Sequence, residues 1–354
     1  MDFRFTDEQT MTAEAVRALL ADRCQPQDLR RLMQAGESRD DSRWAAIVEM
    51  GLLGALAPES VGGLGLSEPD FVQIAEACGY AALPEPLVEA AGVATPLLAS
   101  LAERPEAAAL LEKVLAGEAV VVAAHPINPV IADADLAAGV LSARGGELHL
   151  FTAESLSFVR QPSVDPFRRL FTMEETTGES VKLAEGAVAA RALLDALDRG
   201  ALFAAAQLLG VAQRAVAMAA DYARERKQFG KPIGSYQAIK HLLAAAQVKI
   251  EFTRPVVYAA AAECANGDAF SRARISHAKL AAADAADAAC RAAVQAHGAM
   301  GYSWEVDVHL FLKRALALSG WWGDAAFHRA RAATRVFGRP LGPETTFAAD
   351  AKNG

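Results

Sequence analysis

A short polar segment at residues 226–237 carries side chains that can bind a phosphorylated ligand. Arg226 can pair with a phosphate oxygen through a charge-assisted hydrogen bond, and Gln228 offers both a donor and an acceptor. Phe229 can pack against a flat ligand ring. Further along the chain, Gly298 allows close backbone approach to phosphates because it has no Cβ. The alternative interpretation is a salt-bridged surface arginine beside a core phenylalanine.

The histidines and cysteines do not predict a metal site. His297 and His309 lie twelve residues apart, with no third ligand at helical spacing. The cysteines are widely spaced and form no CxxC or CxxH pair, so neither zinc nor a disulfide framework is predicted. Small buried hydrophobes are the simpler interpretation. The four cysteines are Cys24, Cys78, Cys264 and Cys290.

Length and composition limit the possible folds and partners. The chain has 354 residues, of which 53% are apolar, enough for a large core in two or three domains. A formal net charge of -8 argues against nucleic-acid binding. The polar start MDFRFTDEQT lacks the apolar region of a signal peptide, and apolar runs such as residues 201–206 are short for a membrane span of about 20 residues. We therefore expect a cytoplasmic protein without a membrane span.

Helical patterns dominate residues 1–116, which we interpret as an N-terminal α-helical domain. The first helix is predicted at residues 6–22, with Thr6 as N-cap and acidic residues in the first turn. Apolar residues recur there at helical spacing. Further helices are expected at residues 44–53, 68–80 and 86–115.

The pattern changes at about residue 117, and residues 117–192 are predicted to form a short middle β domain. Residues 125–129 (HPINP) interrupt it. His125 and Asn128 can hydrogen-bond a ligand there, although turn residues flanked by prolines are the alternative. Strands are expected at residues 120–123, 146–152, 170–174 and 180–182.

Residues 193–338 return to a helical pattern, and their long Ala-rich segments predict antiparallel helices in a bundle. Pro255 lies inside one segment and is expected to kink it or to mark a local break. Residues 339–354 are predicted to be a frayed tail. The predicted bundle helices are residues 193–226, 234–266, 268–297 and 305–335.

Four segments, taken in order, resemble motifs of the acyl-CoA dehydrogenase family, and the resemblance covers nearly the whole chain. It implies a mostly α fold with a small β domain: an N-terminal helical domain, a middle β-barrel-like domain and a C-terminal four-helix bundle. The segments are residues 44–66 (the tryptophan-to-glycine motif of the N-domain), residues 165–170 (DPFRRL), residues 226–237 (similar to R-x-Q-F-G-x-P-I-x-x-x-Q) and residues 295–302 (QAHGAMGY).

The resemblance implies an FAD-dependent α,β-desaturation of an acyl-CoA thioester, with electrons passed to an electron-transfer acceptor. In the family the flavin is held mainly by the neighbouring subunit, so the resemblance also implies a homodimer or a larger assembly. The residues of this chain at FAD-contacting positions are Arg226, Gln228, Phe229, Ile233, Tyr236, Gln295, Gly298 and Ala299.

The chain departs from the family at the catalytic base, a carboxylate that removes the α-proton of the thioester. The family's Y-E-G-T motif corresponds to residues 321–324 (WWGD), so Trp322 stands in the place of the glutamate, and an indole cannot accept the proton. A second position used in the family falls on Gly200. Asp324 and Asp198 each lie two residues from these positions and are the remaining candidates, although solvated or capping aspartates are the favoured interpretation.

The middle domain and the tryptophans also depart from the family. The loop L-T-E-P-x-x-G-S-D, which hydrogen-bonds flavin and thioester, is replaced by residues 125–129. Trp321 and Trp322 can either line a pocket or pack in the core.

Three functions are consistent with this sequence. The favoured one is the glutamate-lacking subunit of a heteromeric acyl-CoA dehydrogenase, similar to bacterial enzymes that act on steroid side-chain CoA thioesters. Its partner is a homologous subunit that carries the glutamate. The alternatives are a self-sufficient homomeric enzyme with an unusual base and a non-catalytic binding or structural member of the fold.

Overall fold

The computed structural model describes residues 5–175 and 179–338, and the predicted tail at 339–354 lies outside them. Its helices are α1 (Asp7–Arg23), α2 (Pro26–Ala35), α3 (Asp41–Glu49), α4 (Glu68–Ala81), α5 (Leu87–Glu89), α6 (Thr95–Ala99), α7 (Pro105–Leu115), α8 (Gly186–Glu225), α9 (Gln237–Cys264), α10 (Ala269–His297), α11 (Val308–Gly320) and α12 (Ala325–Phe337). Its strands are β1 (Val120–Ala124), β2 (Ile131–Ala132), β3 (Ala137–Arg144), β4 (Glu147–Thr152), β5 (Leu156–Gln161), β6 (Leu170–Glu175), β7 (Ser180–Glu185), β8 (Lys227–Gln228) and β9 (Lys231–Pro232).

The chain divides into two compact units. The first, called here the bundle unit, contains α1, most of α4, the second part of α8 and all helices from α9 to α12. The second, called the mixed unit, contains α2, α3, α5 to α7, strands β1 to β7 and the start of α8. The described residues of the bundle unit are 5–27, 72–82 and 201–338, and those of the mixed unit are 28–71, 83–175 and 179–200.

The start of α1 shows why the first helix begins where the sequence predicts. The backbone N–H of Gln9 donates to Thr6 Oγ1 at 3.2 Å, and the backbone N–H of Thr6 donates to Gln9 Oε1 at 3.0 Å. This reciprocal capping box satisfies two backbone donors that the first turn leaves free. The predicted N-cap at Thr6 is confirmed.

Helix α10 is the central element of the bundle unit and packs against α9, α11 and α12. Its buried face consists largely of alanine, and small side chains allow close helix packing. Pro255 lies inside α9, which runs as one helix from Gln237 to Cys264. The proline therefore causes no break, although it removes one backbone donor from the helix.

Two glycines allow α4 and α8 to pack backbone to backbone within the bundle unit. A Cβ at Gly79 would lie 2.0 Å from the carbonyl oxygen of Gln207, and a Cβ at Gly210 would lie 2.0 Å from that of Glu76. Real Cβ contacts are much longer, so any larger residue at either position forces the helices apart.

Helix α8 is long and apolar enough to cross a membrane by length and composition, but 78% of its most apolar window is buried inside the protein. This burial is typical of a core helix. No other described helix meets the same criteria for length and composition.

The mixed unit contains a four-stranded sheet in the order β1-β3-β4-β7 and a three-stranded sheet in the order β2-β6-β5. Strands β1 and β3 are parallel, and the other pairs in these two sheets are antiparallel. The four predicted strands are confirmed as β1, β4, β6 and β7. The sequence prediction missed β2, β3 and β5. Strand β3 has the sequence AAGVLSAR, in which alanine and glycine have low β propensity.

Two predicted helices are wrong as single elements. The pattern at 305–335 forms α11 and α12, because Trp322 and Gly323 adopt left-handed backbone conformations with φ of 59° and 99°. The pattern at 86–115 forms α5, a π-helical turn at Ala90–Ala94, α6 and then α7, which begins at Pro105. Proline suits the first turn of a helix and starts a new one here.

Candidate functional site

A tight hairpin, β8 to β9, connects α8 to α9 and carries the predicted phosphate-binding residues. At its turn, Phe229 and Gly230 have φ of 53° and 82°, as a two-residue hairpin requires. Phe229 is 92% exposed. A bulky residue is strained in the left-handed backbone conformation, and residues with such strained backbones are enriched at ligand sites. The interpretation of Phe229 as a core residue is therefore wrong.

Tyr236 supports the hairpin from within the chain. Its hydroxyl donates to the backbone carbonyl of Gln228 at 3.0 Å, and the ammonium of Lys231 lies 4.4 Å from its ring centroid. The backbone N–H of Ile233 donates to the carbonyl of Arg226 at 2.8 Å. These contacts fix the shape of the loop that presents Arg226 and Gln228.

Arg226 has no ion-pair partner among the described residues, which contradicts the interpretation of a salt-bridged surface arginine. Arg224, two residues earlier, pairs with Asp221 at 2.6 Å. The side-chain amide of Gln228 donates only to the neighbouring carbonyl of Lys227, at 2.9 Å. The exposed guanidinium and amide are therefore available to a ligand that carries negative charge.

Gly298, at the end of α10, has φ of 61° and ψ of -138°, a conformation that only glycine adopts readily. No atom lies within 4 Å of a Cβ built there, so its backbone is open to a ligand. The preceding His297 donates from Nδ1 to the carbonyl of Ala293 at 2.8 Å and stacks on Tyr222 with centroids 4.2 Å apart. Tyr222 lies one helical turn before Arg226, so the structure brings the two predicted cofactor segments together.

The eight residues predicted to contact FAD differ in exposure. Exposed among them are Arg226, Gln228, Phe229, Gln295, Gly298 and Ala299, whereas Ile233 and Tyr236 are half-buried. An unpaired guanidinium and an open glycine backbone are the groups that bind pyrophosphate in proteins, and an exposed aromatic ring can pack against a flavin or adenine. The residues present therefore fit FAD.

The predicted base position is occupied by a core residue. Trp322 is 1% exposed, and its ring makes an edge contact with Trp321 at 6.2 Å. His328 donates from Nε2 to the carbonyl of Trp322 at 3.0 Å, and its Nδ1 lies 3.1 Å from the hydroxyl of Ser276. Burial, together with nearby Lys279, lowers the pKa of His328 to about 4. Of the two interpretations of the tryptophans, core packing agrees with this burial.

A buried lysine, Lys279 of α10, stabilises the turn between α11 and α12. Its role was not predicted from the sequence. Lys279 is 1% exposed and donates from Nζ to the carbonyls of Leu318 and Ser319, each at 2.9 Å. These carbonyls belong to the last turn of α11, which a helix cannot satisfy internally. Lys279 also lies 3.5 Å from the carbonyl of Gly323. The sequence signal that could have indicated this role is a lysine on the apolar face of the Ala-rich helix α10.

Neither alternative carboxylate has the environment expected for a free base. Asp324 is the N-cap of α12 and accepts a hydrogen bond from the backbone N–H of Phe327 at 2.8 Å. It stands in the turn between α11 and α12. Asp198 is 2% exposed, and Gly200 has no side chain. The capping interpretation of Asp324 is confirmed.

The proline-flanked segment of the mixed unit behaves as a turn. His125 is buried, its Nε2 donates to the carbonyl of Leu193 at 3.1 Å, and its Nδ1 accepts from the backbone N–H of Ile127 at 3.1 Å. The backbone N–H of Asn128 donates to the carbonyl of His125 at 3.0 Å. Because both ring nitrogens are engaged and burial lowers the pKa of His125, a structural role accounts for it.

The DPFRRL segment forms an ionic connection within the mixed unit. Arg169 pairs with Asp135 at 2.6 Å and donates to the hydroxyl of Ser38 at 3.2 Å. Asp165 is 1% exposed and accepts from the backbone N–H of Phe167 at 3.0 Å. These residues join the strands to the preceding helical segment.

Within residues 5–175 and 179–338, no group of three or more His, Cys, Asp and Glu side chains can hold a metal ion. The four cysteines are all buried, and none of them is part of a disulfide. Burial raises the pKa of Cys290, which keeps that thiol protonated and unreactive.

A helical bundle that presents an open glycine and an arginine without an ion pair among the described residues is suited to binding a phosphorylated cofactor. Residues 6–118 match the family model for the acyl-CoA dehydrogenase N-terminal domain, and residues 190–337 match that for the C-terminal domain. The chain belongs to the acyl-CoA dehydrogenase family. It is a flavin-dependent enzyme of this family or a subunit of one, and the cofactor is FAD.

Similarities to individual proteins support this assignment. The acyl-CoA dehydrogenase IpdE2 of Mycobacterium tuberculosis is 32% identical over 313 residues, which cover 87% of this chain and 91% of the relative. The ChsE4-ChsE5 complex of the same organism has a similar fold, with a TM-score of 0.84 at 23% identity over 96% of this chain and all of that one. A steroid ACAD named Tcur3481-Tcur3483 gives a TM-score of 0.81 at 25% identity over 92% and 97% of the two chains.

Proposed function

We propose that this chain is the glutamate-lacking subunit of a heteromeric acyl-CoA dehydrogenase. The observation that carries the proposal is the burial of Trp322 at the position where the family places its base. Lys279 and His328 hold the surrounding turn with hydrogen bonds, so a carboxylate cannot take this place by a small movement of the chain. The α-proton must then be removed by a carboxylate of another subunit.

This chain contributes half of an FAD site in the proposal. Arg226 would neutralise charge on the pyrophosphate, Gln228 would donate to the cofactor, and the open backbone at Gly298 would allow a phosphate to approach. Bound FAD supplies the acceptor for the hydride from the β-carbon. The remaining contacts are assigned to Phe229, Ile233, Tyr236, Gln295 and Ala299.

The proposed partner is a homologous subunit that carries the catalytic glutamate. The ChsE4-ChsE5 complex and the Tcur3481-Tcur3483 steroid ACAD are relatives whose names describe a two-component complex or a steroid substrate, and both support the proposal. We infer a steroid-derived acyl-CoA as the substrate class and an electron-transfer flavoprotein as the acceptor. The proposed assembly acts in the cytoplasm, with the chain organised as domains at 1–116, 117–192 and 193–338.

Asp324 weakens the case for a self-sufficient enzyme. Its carboxylate accepts the backbone N–H of Phe327 at 2.8 Å and thereby caps α12. A general base must instead direct its carboxylate at the proton of the substrate. A purely structural role is weakened by Arg226, whose guanidinium has no ion-pair partner among the described residues.

Co-purification with a glutamate-bearing homologue tests the proposal. We expect the two chains to form a mixed assembly that retains FAD and desaturates an acyl-CoA, while neither chain alone desaturates one. Glutamate-to-glutamine substitution in the partner is expected to abolish turnover, and Asp324→Asn in this chain is expected to preserve it, because asparagine still caps the helix. Loss of turnover in the Asp324→Asn assembly, with its thermal stability unchanged, would show that this chain supplies the base.

A further inference from the structure

A cavity of about 460 Å³ opens within the bundle unit, between the end of α1, the last turns of α4, the middle of α8 and Phe311 of α11. Protein interiors contain few voids larger than a water molecule, whereas small-molecule sites occupy about 300–1,000 Å³. None of its lining residues belongs to the proposed FAD site or to the base position. The cavity is therefore separate from the proposed function.

The one acidic side chain among the lining residues is already satisfied. Glu76 is 4% exposed and accepts from Gln213 Nε2 at 2.7 Å, from Arg254 at 3.2 Å and from the hydroxyl of Tyr258 at 2.6 Å. The hydrogen-bonded Arg254 balances its charge. Glu76 thus closes one wall of the cavity and has little capacity to bind a cation.

Two arginines that line the cavity have no acidic partner among residues 5–175 and 179–338. Arg17 has no ion pair among the described residues, and Arg214 makes only long contacts, 3.4 Å to the Tyr80 hydroxyl and 3.4 Å to Gln25 Oε1. These distances exceed the usual 2.7–3.2 Å of an N–H···O bond. The Arg214 guanidinium also lies 5.1 Å from the ring centroid of Tyr80, which fixes its plane. The cavity therefore presents uncompensated positive charge.

Apolar side chains form the rest of the lining, among them Leu20, Ala77 and Phe311. A guanidinium binds an oxyanion through two parallel hydrogen bonds, and an apolar wall favours a hydrocarbon body. We propose that this cavity binds a small amphipathic anion, with its carboxylate or phosphate head on Arg17 and Arg214 and its apolar body against Leu20, Ala77 and Phe311.

Calorimetric titration of the assembled protein tests this site with octanoate, octyl phosphate, octanol and inorganic phosphate. We expect the two amphipathic anions to bind at least about 10-fold more tightly than octanol or inorganic phosphate, because each lacks one half of the recognised chemistry. Tighter binding of octanoate assigns a carboxylate head, and tighter binding of octyl phosphate assigns a phosphate ester. Octanol that binds as tightly as octanoate, or no binding of either anion, overturns the proposal.

Substitutions of the two lining arginines test whether the anion binds in this cavity. Arg214→Ala is expected to weaken binding of the preferred anion by about 10- to 100-fold, because a charge-assisted bond is lost. Arg17→Ala changes an exposed residue, so it leaves the fold intact, and it is expected to weaken binding as well. Arg291→Ala, which removes a surface pair with Asp287, is the matched control and should bind normally. Unchanged affinity in the folded Arg17 and Arg214 variants excludes the cavity as the binding site, and because none of these residues belongs to the proposed FAD site, that result leaves the proposed function intact.

Discussion

The ring of Tyr222 stacks on the imidazole of His297, with centroids 4.2 Å apart and an interplanar angle of 24°. The carbonyl of Tyr222 accepts the backbone N–H of Arg226 at 2.9 Å, and His297 directly precedes Gly298. One ring contact therefore sets the position of the predicted phosphate-binding arginine relative to the predicted phosphate-binding glycine. Neither ring contacts FAD in our proposal, so both act as positioning residues.

Tyr222→Ala is expected to lower FAD retention in the assembled protein, whereas Tyr222→Phe, which keeps the stacked ring, is expected to retain FAD. Aromatic pairs contribute about 0.5–1.5 kcal/mol beyond their buried area, so the alanine variant should also unfold at a lower temperature. Flavin absorbance after dialysis and a thermal melt give both readings. Equal flavin content in the alanine and phenylalanine variants contradicts the positioning role.

Arg226→Ala is expected to weaken FAD binding by about 10- to 100-fold, because one charge-assisted bond to phosphate is lost. Arg224→Ala is the matched control, since Arg224 is also exposed, lies two residues away and pairs with Asp221. Its FAD affinity and its stability should change little, as for most surface ion pairs. Equal flavin loss from the two variants on dilution would count against the assignment of Arg226.

Lys279→Met is expected to destabilise the bundle unit because it removes the Nζ donor from the carbonyl of Ser319 and leaves the carbonyl of Leu318 only the backbone N–H of Trp321. Each buried acceptor left unsatisfied costs about 1–3 kcal/mol, and methionine preserves most of the packing. Lys249→Met, which removes an exposed pair with Asp284, is expected to cost less than about 1 kcal/mol. Urea denaturation compares the two, and similar midpoints would show that the Lys279 contacts do not stabilise the turn.

His328 is expected to make stability depend on pH. Its pKa is lowered to about 4 in the folded chain, from the ordinary value of 6.5, so the unfolded chain binds the proton more readily. The neutral, buried imidazole of His328 contributes fully to the free energy of unfolding above pH 6.5. This contribution decreases as the pH falls from 6.5 to 4, and below pH 4 no further decrease is expected. The total decrease is on the order of 3 kcal/mol. His328→Gln should flatten the unfolding free energy over this range. A variant with the wild-type slope between pH 4 and 6.5 contradicts the assignment.

The sequence was sufficient for the main architecture because helical periodicity and β-branched runs are local signals. It predicted the N-cap at Thr6, four of the strands and the three helices that became α8, α9 and α10. It failed where tertiary contacts override propensity. Strand β3 is Ala-rich and is held between β1 and β4, and the break between α11 and α12 depends on Trp322 in a left-handed conformation that Lys279 and His328 support.

The candidate site, like the fold, was only partly predictable from the sequence. Arg226 and Gly298 belong to motifs that can be read directly, but their connection through Tyr222 and His297 joins segments distant in the chain. The arginine-lined cavity had no sequence signal, because Arg17 and Arg214 each resemble an ordinary surface residue of an amphipathic helix. Only the folded arrangement shows that both line one cavity and that neither forms an ion pair with a described residue.

Anaerobic mixing of the purified, FAD-loaded single chain with straight-chain and steroid acyl-CoAs tests the central claim most directly. Because Trp322 and Gly200 cannot accept a proton, we predict no flavin bleaching on the timescale of turnover, and bleaching once the glutamate-bearing partner is added. Bleaching of the single chain at about 1–10³ s⁻¹, the usual range of turnover, would show that the chain has its own base and would contradict the account.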